Sequence, residues 1–398
     1  MPGAEADDLI ERGTAAFVRT NLALFAAGFA TFALLYYVQA LMPVFSTEFG
    51  VSPAAASLSL SLSTGLMAVS MLIASSLSEV WGRKPVMMLS LLLSSLLTVA
   101  AAALPSWPAL LAGRAAMGIT LAGLPAVAMA YVSEEMHPKS MGFAMGLYIG
   151  GSGLGGMSGR LLTGVLTDLF GWRAAVMALG IAGLVSAALV WRGLPASRHF
   201  VPRELRPRAL LSSLQLHLRD PALRLLFVEG FLLMGSFVTI YNYAGYRLLA
   251  PPFSLSQTGV GLIFTIYLFG IFSSTGMGTL AGRLGRRRVL TIALAVMLAG
   301  TLITLSGRLW LLIGGIAVMT IGFFGGHSIA SSWVGARASQ AKAQASSLYL
   351  FSYYVGSSIV GSLGGVFWSA LGWPGIVGLT GTLVALALAV TLLLARAV

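Results

Sequence analysis

Leu77-Ser78-Glu79-Val80-Trp81-Gly82-Arg83-Lys84 is answered further along the chain by Leu280-Ala281-Gly282-Arg283-Leu284-Gly285-Arg286-Arg287, each stretch lying between two long apolar segments. From Leu77 to Leu280 the offset is 203, close to half of the 398 residues. A polar sentence repeated at that spacing marks a parallel internal repeat, a feature of membrane transporters.

Two further landmarks keep nearly the same offset. Gly164-Val165-Leu166-Thr167-Asp168-Leu169-Phe170-Gly171-Trp172 matches Gly365-Val366-Phe367-Trp368-Ser369-Ala370-Leu371-Gly372-Trp373 at 201, and Tyr36-Tyr37 matches Tyr241-Asn242-Tyr243 at about 205. Three matches at one spacing are not chance.

The composition says where such a chain lives. With 57% hydrophobic and 9% charged residues, and a mean hydropathy of +0.90, there is more apolar surface than a soluble core can bury. A spanning helix takes about 20 apolar residues. Cut at polar and Pro/Gly-rich breaks, the sequence predicts twelve spans, at 18–43, 53–78, 84–104, 106–131, 140–168, 172–194, 222–249, 256–281, 287–306, 308–333, 340–369 and 373–395. The expected fold is therefore an all-α membrane protein of two pseudo-symmetric six-helix bundles, 1–194 and 222–398. A cytoplasmic linker at 195–221 joins them. Part of it, 210–218, is amphipathic enough to lie on the membrane surface as an alternative to a solvated tether.

The net charge of +12 does not call for a nucleic-acid partner. Only Arg173, Arg247 and Arg308 fall on one side of the spans and Arg114 and Arg160 within them, leaving 19 of the 24 basic residues on the other side. That is the positive-inside pattern of a bacterial-type inner membrane protein with both termini cytoplasmic. The opening residues, with Glu5, Asp7, Asp8 and Glu11, lack the basic region of a secretory signal, so the first span is expected to be retained. No cysteine is present, which removes disulfides and thiolate chemistry.

The first basic turn resembles the signature of the major facilitator superfamily between spans two and three, usually Gly-x-Leu-Ala-Asp-Arg-x-Gly-Arg-Arg. Leu77, Gly82, Arg83 and Lys84 match it, while Ser75, Glu79 and Val80 depart. The second copy matches at Gly278, Leu280, Ala281, Arg283, Gly285, Arg286 and Arg287, with Gly282 where the acid would stand. The resemblance implies a gate. Glu79 would meet the start of span eleven in the outward-facing state, where a carboxylate beside a helix N-terminus gains about 0.3–1 kcal/mol. A turn that only sets topology is the alternative.

In span five, Gly142, Gly146 and Gly150 are four apart, as are Gly151, Gly155 and Gly159, which strips two helix faces for close packing. The wording up to Arg160 resembles exporters of the superfamily's drug-efflux branch, although the usual Gly-Pro step of the antiporter motif is absent.

Ionisable groups within spans cost about 2.5–3.5 kcal/mol each and so mark function. They are Arg114, Arg160, Glu229 and His327. Spans one, four, seven and ten line the central cavity by resemblance, and Arg114 with Gly118 fits a span-four pattern associated with proton coupling. Glu229, five residues after Arg224, and His327, ten before Arg337, are expected at similar depth. A carboxylate and an imidazole so placed can pass a proton as access alternates. A snorkelling Glu229 and a packing His327 are the alternative. Tyr36, Tyr37, Gln39, Tyr241, Asn242 and Tyr243 offer aromatic faces and amides to a solute, or an interfacial belt.

Phosphate-binding loops, helical zinc motifs and nucleophile elbows are absent from the sequence, so neither ATP-driven transport nor enzyme chemistry is indicated and no cofactor is called for. The resemblance implies a monomer that exchanges a small-molecule substrate and protons across the lipid bilayer. Symport, uncoupled facilitation and a sensor without turnover are the competing readings.

Overall fold

A computed structural model describes residues 9–200, 214–340 and 342–397. Within a bilayer a helix satisfies its own backbone polar groups, and among the described residues every long element is helical. The first rod is α1 (Ala15–Tyr36) and α2 (Val38–Phe49), broken at Tyr37, followed by α3 (Pro53–Trp81) and α4 (Arg83–Ala101). The fourth is α5 (Trp107–Leu121) and α6 (Gly123–Glu135), then α7 (Pro138–Phe170) and α8 (Trp172–Gly193). After the linker come α9 (Pro221–Leu249), then α10 (Gln257–Ile263) running through a tight turn into α11 (Tyr267–Leu284). α12 (Arg286–Ile303), α13 (Leu309–Arg337) and α14 (Lys342–Ala397) complete the chain, α14 being two helices that meet at Gly372.

Nine stretches among the described residues are long and apolar enough to span a membrane. The glycine-rich α7 and the arginine-led α12 fall outside that set, and α14 counts once despite its kink. Joined across the breaks and divided at Gly372, these named helices make twelve rods among the described residues.

The repeat is written in the backbone as well as in the sequence. Gly82 and Gly285 open α4 and α12 at φ +91° and +83°, and Gly171 and Gly372 turn the chain at φ +81° and +62°. Glycine adopts this left-handed region without the clash a side chain brings.

Two compact units form, one from Met1–Val38 and Val69–Leu205, the other from Gln39–Ala68 and Arg206–Val398. The division departs from a half-chain split at 39–68. Those residues are tied into the second unit by Gln39 on Asn242, by the Tyr246 hydroxyl on the Met42 carbonyl at 2.9 Å and by the Ser358 hydroxyl on the Ser61 carbonyl at 2.7 Å. The linker reading falls largely on 201–213, outside the described residues. Beyond it, 214–219 is helical, with Leu216 and Leu218 exposed and His217 buried.

Within the first unit α7 lies on α1 through one glycine face. A Cβ at Gly151 would meet the Phe25 carbonyl at 2.6 Å and one at Gly159 the Ala33 Cα at 2.7 Å, while Gly155 sits on the Phe29 carbonyl. A Cβ on the second face, at Gly142, Gly146 or Gly150, would meet nothing within 4 Å among the described residues. In the second unit Gly356 and Gly364, each 205 residues on from Gly151 and Gly159, pack α14 against Phe231 and Tyr243 of α9. The same small-residue contact is thus built twice.

Candidate functional site

The first rod runs on from Tyr36 and Tyr37 through α2 to Phe49, so the two tyrosines lie inside it. The reason for the break lies on α5. Arg114, 1% exposed, donates from Nη1 to the Leu34 carbonyl at 3.1 Å and from Nη2 to the Leu35 carbonyl at 2.7 Å, acceptors that a continuous helix needs for its own N–H groups. Pro43, inside α2, has no N–H to give the Gln39 carbonyl. Arg114 also lies over the Tyr37 ring at 5.2 Å, and Arg160 over the Tyr36 ring at 4.3 Å while donating to the Gly156 carbonyl at 2.6 Å. The two buried arginines are thereby seated on consecutive tyrosines at the break.

Glu229 on α9 is fully buried. Its Oε1 accepts from the Thr391 hydroxyl at 2.7 Å, and its Oε2 is buried with no hydrogen-bond partner among the described residues. His327 on α13 is joined to Tyr349 on α14, Nδ1 to hydroxyl at 2.9 Å. The Tyr349 ring in turn lies against Gly230, where a Cβ would meet its Cε2 at 2.8 Å. Tyr349 therefore packs beside the residue next to Glu229 and bonds to His327, the two groups the sequence places at one depth. Neither Tyr349 nor Thr391 is legible in the sequence as a site residue, since a hydroxyl in an apolar span carries no motif. A carboxyl with a free oxygen, a phenol and an imidazole are groups able to hand on a proton.

An aromatic cluster surrounds the imidazole. Phe323 stacks on it at 5.9 Å and Tyr353 tilts against it at 4.7 Å; Phe237 then stacks on Phe323 at 3.7 Å. The other aromatic candidates diverge. Tyr241 meets the Thr320 hydroxyl at 2.8 Å, Tyr243 donates to the Gly361 carbonyl at 2.9 Å, and Asn242 between them accepts from Gln39 Nε2 at 2.6 Å. Three successive residues on a helix point some 100° apart. The structure thus brings Gln39 and Asn242 together and sends the two tyrosines to α13 and α14.

In the first basic turn, Arg83 reaches Glu134 through Nη2 on Oε1 at 2.7 Å and Nε on Oε2 at 3.1 Å, and its Nη1 donates to Ser78 at 2.6 Å. Lys84 donates to the Leu194 carbonyl at the end of α8. Glu79, partly exposed, has no hydrogen bond or ion pair among the described residues. The acid that engages the arginine is Glu134, which no reading of the motif alone supplies. Beside it Glu135, 3% exposed, accepts from the His199 N–H at 3.0 Å and pairs with its ring at 3.2 Å.

In the second copy Gly278 and Gly282 face open space, and Arg283 and Arg286 are exposed. Arg337, 203 residues on from Glu134, holds Asp220 at 2.9 Å instead. Asp220 caps α9, accepting from the N–H groups of Ala222 at 2.8 Å and Leu223 at 3.2 Å. Burial raises its carboxyl, but the bonds from Arg337, Leu223 and Ala222 outweigh that and hold it below the usual carboxylate range.

Comparison with known proteins places this geometry. The chain is 52% identical over 390 residues to the inner membrane transport protein YnfM of Escherichia coli (strain K12), covering 98% of this chain and 93% of that protein. It is 50% identical over 389 residues to the uncharacterised MFS-type transporter YybF of Bacillus subtilis (strain 168), covering 98% and 96%. Among solved structures, the inward-facing, unoccupied bacterial homologue of the human lysosomal transporter Spinster superposes with a TM-score of 0.81 at 16% identity, over 97% of this chain and 98% of that one. The nucleoside transporter NupG superposes at 0.74, also at 16% identity, over 95% and 99%. The family model for the Major Facilitator Superfamily matches residues 24–251 and 230–398, and with relatives this similar over almost the whole length, the chain belongs to that superfamily.

Proposed function

We propose that this protein is a proton-coupled exporter of a small organic solute in the bacterial inner membrane, working as a monomer by alternating access with both termini cytoplasmic. It moves its solute without covalent chemistry. The observation that carries the reading is Glu229: a fully buried carboxyl in a membrane-spanning helix, one oxygen on Thr391 and the other without a partner among the described residues. Such a group is costly to keep charged in a bilayer, and taking up a proton removes the cost, so its occupancy and the protein's conformation are coupled. Tyr349 and His327 extend the group toward the aromatic cluster at Phe237, Phe323 and Tyr353, an apolar surface with few fixed charges that suits an amphipathic or sugar-like solute. Arg114, seated on the break in the first span, couples the fourth span to that bend. Glu79, Arg83, Lys84, Gly82, Gly278, Arg283, Gly285 and Arg286 act at the gating turns.

The test is pH-dye fluorescence in proteoliposomes, with lipophilic cations, sugars and amino acids added to the wild type and to Glu229→Gln. Solute-evoked proton movement in the wild type that is lost in the variant supports the reading. Solute flux without proton movement makes the protein a facilitator, and a variant that matches wild type removes Glu229 from the proton path.

A further inference from the structure

The two basic turns are built alike and charged differently. In the first, Arg83 is engaged by Glu134 and Ser78, and Lys84 by the Leu194 carbonyl. In the second, glycine replaces the motif's acid at Gly282, and the position of Glu134 is taken by Arg337, which is committed to Asp220. Arg286, Arg287 and Arg288 are exposed, and among the described residues their side chains make no hydrogen bond or ion pair. With Leu284, Gly285 and Trp333 they line an open cavity of about 470 Å³. Gly285 gives α12 no side-chain cap, so the free N–H groups of its first turn face the same region. Trp333, one turn before Arg337 at the end of α13, is 8% exposed, and Leu284, which also lines the cavity, is 41% exposed.

We propose that this cavity binds the phosphate-bearing headgroup of an anionic phospholipid from the cytoplasmic leaflet. The three arginines and the helix start hold the phosphate, and Trp333 and Leu284 meet the glycerol and the first methylenes. Anionic headgroups are the phosphates at hand on the face that the basic residues assign to the cytoplasm, and a basic pocket between spanning helices is the chemistry that retains them. The apolar rim favours a lipid over a soluble phosphate. The first copy, its cations already engaged by Glu134 and the Leu194 carbonyl, has no such excess. The inference stands on charge and shape and is independent of proton coupling.

Native mass spectrometry of the full chain in micelles holding equal phosphatidylglycerol and chain-matched phosphatidylcholine tests it. Wild type retains phosphatidylglycerol in preference, and R286Q/R287Q/R288Q weakens that retention by roughly tenfold or more, as the loss of three surface cations implies. R19Q/K139Q/R192Q, which removes the same charge from other exposed positions, keeps the preference. The proposal is overturned if wild type shows no preference, if the first triple variant retains the lipid, if both triples lose it equally, or if glycerol phosphate displaces it at equal concentration.

Discussion

Gln39 donates from Nε2 to Asn242 Oδ1 at 2.6 Å, joining α2 to α9 across 203 residues of chain. Both residues are buried, and Asn242 Nδ2 has no hydrogen-bond partner among the described residues. Replacing Gln39 by Met leaves the Asn242 oxygen without this donor. A double-mutant cycle of Gln39→Met and Asn242→Leu, read by thermal unfolding in detergent, should give a coupling of about 0.6–1.7 kcal/mol, the range of interhelical hydrogen bonds in membrane proteins. Simple additivity would show that the contact contributes nothing.

How much of this was legible beforehand depends on the kind of signal. The repeat, the helical character of the spans and the basic turns are carried by composition and local motifs, which act within a segment, and they appear in the fold, with nine stretches among the described residues long and apolar enough to span a membrane. The close face of α7 was legible only as one of two candidates, because glycine spacing shows that a helix can be approached closely and not from which side. The break at Tyr37 was hidden, since its cause is a guanidinium 77 residues further along. Glu229 and His327 could be singled out as ionisable groups in apolar spans, whereas Tyr349 and Thr391, which touch them, are ordinary residues until packing brings them there. Glu134 could have been found by asking what stands at the repeat offset from Arg337.

Tyr349→Phe keeps the ring against Gly230 and removes the hydroxyl that meets His327. If that hydroxyl links Glu229 to His327, solute-evoked proton movement should fall more than tenfold in proteoliposomes, with solute binding measured by calorimetry unchanged. A variant that loses binding as well would assign Tyr349 to the solute surface rather than to the proton path.

Gly155→Ala sets a methyl group against the Phe29 carbonyl of α1, whereas Gly146→Ala places it in open space. The first substitution should destabilise the protein by about 1–3 kcal/mol, the usual cost of overpacking. The second should be neutral, or stabilising by up to about 1 kcal/mol from helix propensity. Thermal midpoints in detergent separate them, and equal effects would mean that the Gly151, Gly155 and Gly159 face is not the packed one.

Asp220 acts on α9 in two ways, as a cap and as a charge. Asn also caps well, so Asp220→Asn leaves the bonds to Ala222 and Leu223 available and removes only the ion pair with Arg337. Because the folded carboxyl is held below its usual value of about 3.9, the charge stabilises the protein above that pH, and the contribution disappears as pH falls through the lower folded value. Both side chains are about a third exposed or less, at 34% and 26%, so solvent screening limits the effect to roughly 0.5–1 kcal/mol. The wild type should therefore exceed Asp220→Asn in thermal midpoint at neutral pH and converge with it in acid, and Arg337→Gln should flatten that difference. A gap that persists undiminished at low pH would assign the stabilisation to the cap and not to the charge.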